Sequence, residues 1–575
     1  MASESSTSAE FRVGVAADFN AMNFCSALRT SLREMQGECE AAPFGQVLPL
    51  LHDRGASFWQ SRFDAIVVWT LPEMAVPEFG KALDWMPFSL AQLEEEVDAF
   101  AALVQEIPNA PLVLLPTWDV PAYGHGLGPL ELRNQVGVKN TLLRMNLRLA
   151  DRLSSSARVV LFDAQPWREA GAPQPFSPRL WYRSRTPYND QVFAAAAGDM
   201  AATLAATRGK ARKLIILDLD NTLWGGEVGD VGWENVRLGG HDPIGEAFVD
   251  FQRALKRLIA RGILLAIVSK NEESAALTAV EKHPEMVLRP DDFAGWRVDW
   301  NDKAQNIADL LSSLNLGREA AVFLDDSPFE RARVQEALPG ILVPELPADP
   351  LSLPSFVRGL RCFDTLVLSK EDRARTASYV ADRKRAAAKS SYGSLEGWLR
   401  DLGLRISVGT AEPANMSRLL QLFQRTNQMN LSTRRLSAVE LEEWLRAGNR
   451  SLWTFTVADR FGDYGLCGVA STDEALGRVT LQDFLVSCRV LGRGVEETML
   501  AVAAQHAARL GYETLHAEFV RTARNTPCEK WLVQRPSVTR QGDLFSFELN
   551  AIAAAPDHVQ LAFNSDAQAS SPSPA

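Results

Sequence analysis

The chain has 575 residues, 46% apolar and 23% charged, and 60 basic against 71 acidic side chains leave a net charge of −11. That length exceeds one hydrophobic core and implies about three or four domains. The acidic balance argues against nucleic acid as the main partner, since phosphate backbones are bound through basic surfaces, although it is compatible with a local basic site.

No apolar run approaches the ~20 residues that span a bilayer. The opening MASESSTSAEF lacks the basic and apolar segments of a signal peptide. Cys25, Cys39, Cys362, Cys467, Cys488 and Cys528 are scattered, with no CxxC pair and no zinc spacing. A cytoplasmic protein with reduced thiols and no membrane contact is expected, with residues 1–10 disordered.

Four apolar segments then read as strands: FRVGVAA (11–17), DAIVVWT (64–70), APLVLLPTW (110–118) and ARVVLFDA (157–164). Helical patterns such as LAQLEEEVDAFAALVQEI separate them, which implies a parallel α/β domain over 11–195. FRVGVAADFN has the strand-then-Asp form of SGNH-type hydrolase folds and resembles them, giving a flavodoxin/SGNH-like expectation. Phe19 follows Asp18 where that resemblance calls for a serine, no DxxH element is found, and His125 is an isolated candidate base. A non-catalytic docking or assembly role is expected.

A second α/β unit, 210–365, begins with KLIILDLDN (213–221) and continues through a helix at 246–262 and the strand ILLAIVSKN (263–271). A helix at 302–317 and the strand AAVFLDD (320–326) complete it. Alternation along a strand puts residues i and i+2 on one side, so Asp218 and Asp220 can converge just past the strand's carboxyl end. Open α/β sheets place their ligands there. Ser269 and Asn271 follow the next strand, Lys303 starts a helix, and Asp325 and Asp326 end a later strand, all at the same edge. Carboxylates gathered at one point repel one another unless a hard cation lies between them, and Mg²⁺ suits oxygen ligands. The corresponding chemistry is phosphoryl transfer through a carboxylate nucleophile.

DxDxT (218–222), Ser269, Lys303 and DD (325–326) resemble the four motifs of the haloacid dehalogenase (HAD) superfamily of phosphatases. DLDNTLWGG, GEAFVDFQRAL, LLAIVSKN, HPEMVLRPDDF and FLDDSPFER are similar to FkbH-like proteins of that superfamily, over roughly 210–535. The resemblance implies Asp218 as the nucleophile that becomes an aspartyl phosphate and Asp220 as the acid and base. It implies Thr222, Ser269, Asn271 and Lys303 as phosphate-binding groups. Asp218, the Leu219 carbonyl, Asp325 and Asp326 would hold Mg²⁺. The interval between the first two motifs leaves no room for a large cap, so an open Rossmann-like site with a minimal cap is expected. Such a site suits a bulky or protein-borne substrate.

Residues 366–400 read as a charged helical connector, and 401–550 as an α+β domain of strands such as RISVGT, SLWTFTVAD and RVTLQDFLVS. In DFLVSCRVLGRGVEETML (483–500) a glycine-bearing turn joins a strand to a helix, which lets backbone N–H groups approach a phosphate. The turn resembles the pyrophosphate-binding turn of GCN5-related (GNAT) acyltransferases, which bind coenzyme A. Arg489, Arg493 and the helix start would lower the thiol pKa of Cys488; a small buried hydrophobe is the competing reading. The FkbH-like resemblance implies Cys488 as the thiol that carries the acyl group. Arg489, Gly492, Arg493 and Gly494 would then contact the phosphopantetheine arm of an acyl carrier protein. RTNQMNLSTRR (425–435), His516 and Asn525 are weaker polar candidates, while Cys467 and Cys528 are expected only to pack. Residues 551–575 are expected to be a disordered tail.

The resemblance implies a glyceryl transferase/phosphatase for polyketide or related biosynthesis. It would take a phosphorylated three-carbon acid, 1,3-bisphosphoglycerate, and load the acyl group onto the carrier through a Cys488 thioester. A stand-alone phosphatase, and a coenzyme A-dependent N-acyltransferase with a vestigial phosphatase domain, remain open alternatives.

Overall fold

Strands buried on both faces need near-continuous apolar runs. The first of these, β1 (Phe11–Ala17), is buried along almost its whole length. The computed structural model describes residues 11–564 apart from 110, 122–125, 157, 367–369, 390–391, 413, 427, 435, 437, 447 and 523–524. His125 and the expected disordered stretches 1–10 and 565–575 lie outside the described residues. With β2 (Gly37–Ala41), β3 (Ala65–Trp69), β4 (Val113–Pro116) and β5 (Val159–Phe162), β1 forms a parallel sheet in the order β2-β1-β3-β4-β5. That is the flavodoxin-like order, with its switch point between β1 and β3. Helices α1 (Met22–Ser31) and α4 (Asp190–Thr207) cover one face, and α2 (Leu90–Gln105) and α3 (Val138–Leu153) the other. The sequence GECEA gave no hint of β2, because an edge strand needs no continuous apolar run.

At the switch point Asp18 accepts a hydrogen bond from the Leu71 N–H at 3.1 Å. Phe19 is fully buried against Trp69, Tyr188 and Phe193, with ring centroids 5.4, 6.1 and 6.3 Å away. The position where the SGNH resemblance calls for a nucleophile is therefore filled by a core side chain.

The central sheet is also parallel, in the order β8-β7-β6-β9, from β6 (Leu214–Leu217), β7 (Leu264–Ser269), β8 (Phe293–Val298) and β9 (Ala321–Leu324). Between β6 and β7 lie only the single turn Val228–Val231 and α5 (Pro243–Ala260). Helix α5 starts on an Asp242 cap with Pro243 at its first position and buries Phe248, Phe251 and Leu255, so it covers the sheet and does not form a cap domain. Helices α6 (Glu273–Lys282), α7 (Lys303–Ser313) and α8 (Pro328–Ala337) follow β7, β8 and β9.

The connector is helix α9 (Lys370–Lys389), which packs on β8. Its Arg383 lies over the Trp296 ring at 4.2 Å. Its Arg385, almost fully buried, grips Asp459 of the last domain through two bonds of 2.6 and 2.8 Å. Breaking such a buried pair leaves a charge unpaired, so α9 fixes the two domains to one another.

The last domain is a mixed sheet built from β10 (Leu404–Gly409), β11 (Met429–Asn430), β12 (Arg450–Asp459), β13 (Gly462–Ala475), β14 (Arg478–Val486), β15 (Thr514–Glu518), β16 (Val538–Gln541), β17 (Leu544–Glu548) and β18 (Val559–Phe563). The order is β16-β17-β15-β14-β13-β12-β10-β18, with β11 paired to β14. Helix α10 (Val495–Arg509) covers it. The expected tail from residue 551 is corrected here: β18 pairs in parallel with β10, from Leu404↔Val559 to Val408↔Phe563. An edge strand with alternating exposure is hidden in an Ala- and Pro-rich stretch.

In the N-terminal domain, burial pushes the carboxyls of Asp18, Glu73 and Asp119 up to about 6, 7 and 6. Unfolded, each titrates near 4. The folded state therefore binds more protons, and its stability is greatest below the unfolded values and falls as pH rises through the folded ones. Calorimetry of the full chain should show this domain's unfolding temperature falling between about pH 4 and pH 7, from the unfolded to the folded values. Asp18→Asn should flatten part of that slope.

Candidate active site

The carboxyl edge of the central sheet brings Asp218, Asp325 and Asp326 together, one oxygen of each within 4.8 Å of the others. Asp218 follows β6 directly, and its N–H is tied to the Leu324 carbonyl at the end of β9. Lys303, the first residue of α7, inserts between two of the acids: its Nζ is 3.1 Å from Asp218 Oδ2 and 2.7 Å from Asp325 Oδ2. Arg331 of α8 holds the Asp325 and Asp326 carbonyls at 2.8 and 2.7 Å, and the Ser327 N–H donates to Asp325 Oδ1. Thr222 Oγ1 accepts from the Asp326 N–H at 3.1 Å, locking the first motif to the last.

Asp220 stands apart from this cluster. Its Oδ1 accepts from Trp224 Nε1 at 2.9 Å and from the Val228 N–H at 3.0 Å, and its Oδ2 accepts from Asn271 Nδ2 at 3.0 Å. Asn271 Nδ2 also donates to Ser269 Oγ at 3.1 Å, and Ser269 favours the ionised form of Asp218. Asn271 thus ties Asp220 to Ser269, and the two aspartates do not share one point directly. Trp224 was missed in the sequence as a functional side chain; the DLDNTLWGG turn, with Asn221 left-handed at φ 54°, folds its indole back onto Asp220.

One expected ligand is corrected. The Leu219 carbonyl accepts from the N–H groups of Thr222, Leu223 and Trp224 at 3.1, 2.7 and 3.4 Å, so its lone pairs are used inside the turn.

Burial pushes the Asp218 carboxyl up to about 6, opposed by Lys303 and reinforced by Asp325. Burial also raises Asp325 against Lys303, and raises Asp326 together with the charge of Asp218. Lys303 pays for its own burial, yet Asp218 and Asp325 hold its pKa above the ordinary lysine value. Asp218 Oδ1 is buried without a hydrogen-bond partner. An orphaned carboxylate oxygen beside two further carboxylates fits a hard divalent cation of the Mg²⁺ type. Beside the acids an open cleft of about 790 Å³ is lined by Asn221, Gly226, Arg237, Asp326 and Arg331.

The second candidate site begins where Cys488 opens a single turn after β14, although its side chain lies outside the described residues. Arg489 donates to the Tyr464 carbonyl at 3.2 Å, and Arg493 is half-buried near Asp459. Gly492 and Gly494 are left-handed, with φ 71° and 90°. This turn faces a cleft of about 990 Å³ shared with the central domain and lined by Trp296, Arg297, Arg383, Lys389, Arg489 and Arg493. Asn430, Asn525 and His516 each hold bonds within the domain. Asn430 is fully buried: its amide donates to the Thr426 carbonyl, and its own carbonyl accepts from Asn525 Nδ2. His516 pairs with Ser546 across the sheet. Cys467 and Cys528 are fully buried, and burial pushes the Cys528 thiol up to about 12.

The chain resembles the crystal structure of the N-terminal part of the protein BF1531 from Bacteroides fragilis, which contains a phosphatase domain complexed with Mg. The two share 29% identity at a TM-score of 0.56, covering 62% of this chain and 94% of that one. A putative GNAT-family acetyltransferase from Desulfovibrio desulfuricans (15% identity, 25% of this chain and 99% of that one) matches at a TM-score of 0.21. No family model and no curated protein sequence matches the chain.

Because Asn271 touches both Asp220 and Ser269, Asn271→Ala should lower kcat on p-nitrophenyl phosphate by about 100-fold through misplacement, with KM changed little. Steady-state kinetics checks this. A KM effect alone would place Asn271 in binding and remove it from the orientation of Asp220.

Proposed function

We propose that the chain couples a Mg²⁺-dependent phosphatase to an acyl transfer. The observation that carries the first half is the buried Asp218 with one oxygen orphaned, set among Lys303, Asp325 and Asp326. The likeness to the Mg-bound phosphatase domain of BF1531 supports it. Asp218 attacks the phosphorus of a monoester and becomes an aspartyl phosphate, while Asp220 gives its proton to the departing oxygen. Asp220 then takes a proton from water, which attacks phosphorus and frees Asp218 and inorganic phosphate. Lys303 and Ser269 hold the phosphoryl oxygens and Asn271 fixes Asp220. Mg²⁺, held by Asp218, Asp325 and Asp326, would neutralise charge so that a carboxylate can approach an anionic phosphoryl group.

For the second half, the Cys488 thiolate attacks the acyl carbon of 1,3-bisphosphoglycerate. The C–S bond forms, inorganic phosphate leaves, and the thioester passes to the phosphopantetheine thiol of an acyl carrier protein. This reading rests on the FkbH-like sequence around Cys488, and the basic cleft at the turn favours an anionic arm. The cleft reaches the far end of α7 from Lys303, at Leu310, Ser313 and Asn315. At 1.5 Å per residue, α7 puts that wall of the cleft about 15 Å from Lys303. A substrate tethered to a flexible carrier arm can visit both. The N-terminal domain, its nucleophile position filled by Phe19, is proposed as a docking module.

Intact-mass spectrometry after incubation with 1,3-bisphosphoglycerate, Mg²⁺ and a carrier protein tests the scheme. Cys488→Ala should lose both the enzyme adduct and carrier loading by orders of magnitude, because the covalent step is gone. Asp218→Asn should instead accumulate acyl adducts that retain phosphate. Normal carrier loading by Cys488→Ala would overturn the two-step transfer.

A further inference from the structure

Left-handed glycines in a strand-to-helix turn gather backbone N–H groups into a concavity that suits an anion. In this turn a carboxyl of the chain itself takes that place, its pKa raised by burial and lowered by the Gly492 N–H. The Gly492 N–H donates to Glu496 Oε1 at 2.8 Å. Glu496 is 4% exposed, and its Oε2 is buried without a hydrogen-bond partner. It is the second residue of α10, so the positive end of that helix also falls on its carboxylate. The turn has little freedom to rearrange around it. His558, carried next to β18, bonds the Arg493 carbonyl through Nε2 at 2.9 Å, and a Cβ on Gly494 would meet that same nitrogen at 2.9 Å.

A neighbouring contact limits the approach further. Strand β15 pairs with β14 only from Val479 to Leu481, and beyond it β11 takes the outer edge, with Met429 opposite Val486 and Asn430 opposite Leu485. The Leu431 N–H bonds the Phe484 carbonyl, and the Val520 N–H bonds the Leu431 carbonyl, so β11 is tied on both sides. An extended amide chain such as pantetheine cannot pair with that edge while β11 holds it. What remains open is the turn itself and the cleft beyond it.

We infer that Glu496 is a selectivity residue that fills the anion position of the turn and so turns the C-terminal domain away from coenzyme A. A pyrophosphate would bring several negative charges to a place where a buried carboxylate already stands, and juxtaposed like charges are strongly unfavourable. A pantetheine arm presented from the cleft without a pyrophosphate meets no such repulsion. The inference rests on reading this domain as an acyl-transfer domain that receives a pantetheine thiol.

Calorimetric titration of the full chain with coenzyme A, and separately with pantetheine, tests it in the wild type, Glu496→Gln and Glu496→Ala. Glu496→Gln is the informative variant, because its amide oxygen can still accept from Gly492 and keep the turn while the charge is gone. Coenzyme A should bind both variants at least about tenfold more tightly than the wild type, whereas pantetheine should bind all three alike. Wild-type affinity for coenzyme A equal to that of Glu496→Gln overturns the inference and leaves the acyl-transfer reading standing. Absence of pantetheine binding to any of the three overturns both.

Discussion

Four carboxylates, Asp218, Asp220, Asp325 and Asp326, stand at the carboxyl edge of the central sheet against a single buried lysine, and much of the local structure serves that imbalance. Two unit charges 4.8 Å apart repel by about 3 kcal/mol at an effective dielectric near 20. Lys303 reaches only Asp218 Oδ2 and Asp325 Oδ2, and leaves Asp218 Oδ1 unsatisfied. Arg331 spends its guanidinium on the backbone carbonyls of Asp325 and Asp326, so it orients the pair without approaching their carboxylates. Asp220 is relieved differently, by three neutral donors, and this separates it from the cluster in space and in role. A site one cation short can bind a divalent ion and, with it, an anionic phosphoryl group.

The parallel order β8-β7-β6-β9 makes the gathering possible, because every strand delivers its following loop to the same edge. The connector extends this order into the next domain. Arg383 stacks on Trp296 of β8 while Arg385 holds Asp459, so α9 clamps the sheet of one domain to the sheet of the next. The cleft between them is lined by α9, by β8 and by the turn that carries Cys488. Glu496 adds a constraint of its own, since the anion position of that turn is already taken.

Much of this was legible in the sequence where a local rule sufficed. LLAIVS ends in Ser269, and KLIIL and AVFL are followed directly by Asp218 and Asp325, so a strand-end position is enough to bring those residues to one edge. Elements set by long-range pairing were not legible. GECEA becomes β2 only because β1 offers it an edge, FAGWRV becomes β8 despite an internal glycine, and VQLAF leaves an apparent tail to pair with β10, more than 150 residues earlier. Side-chain contacts made by local folding were also hidden. The DLDNTLWGG turn returns Trp224 to Asp220 and consumes the Leu219 carbonyl, and neither consequence can be read from motif spacing. Asn430 and Asn525 suggested a ligand site because they are polar, yet each is buried in bonds that fasten β11.

The claim on which the rest depends is that the acid cluster is completed by a divalent cation. Calorimetric unfolding of the full chain across a Mg²⁺ series tests it most directly, because a ligand that binds only the folded state raises its stability with concentration. One transition, that of the central domain, should move to higher temperature with Mg²⁺ in the wild type. In Asp325→Asn, which removes one ligand charge, that movement should be lost. A wild-type transition that stays in place from chelator to saturating Mg²⁺ would contradict the account.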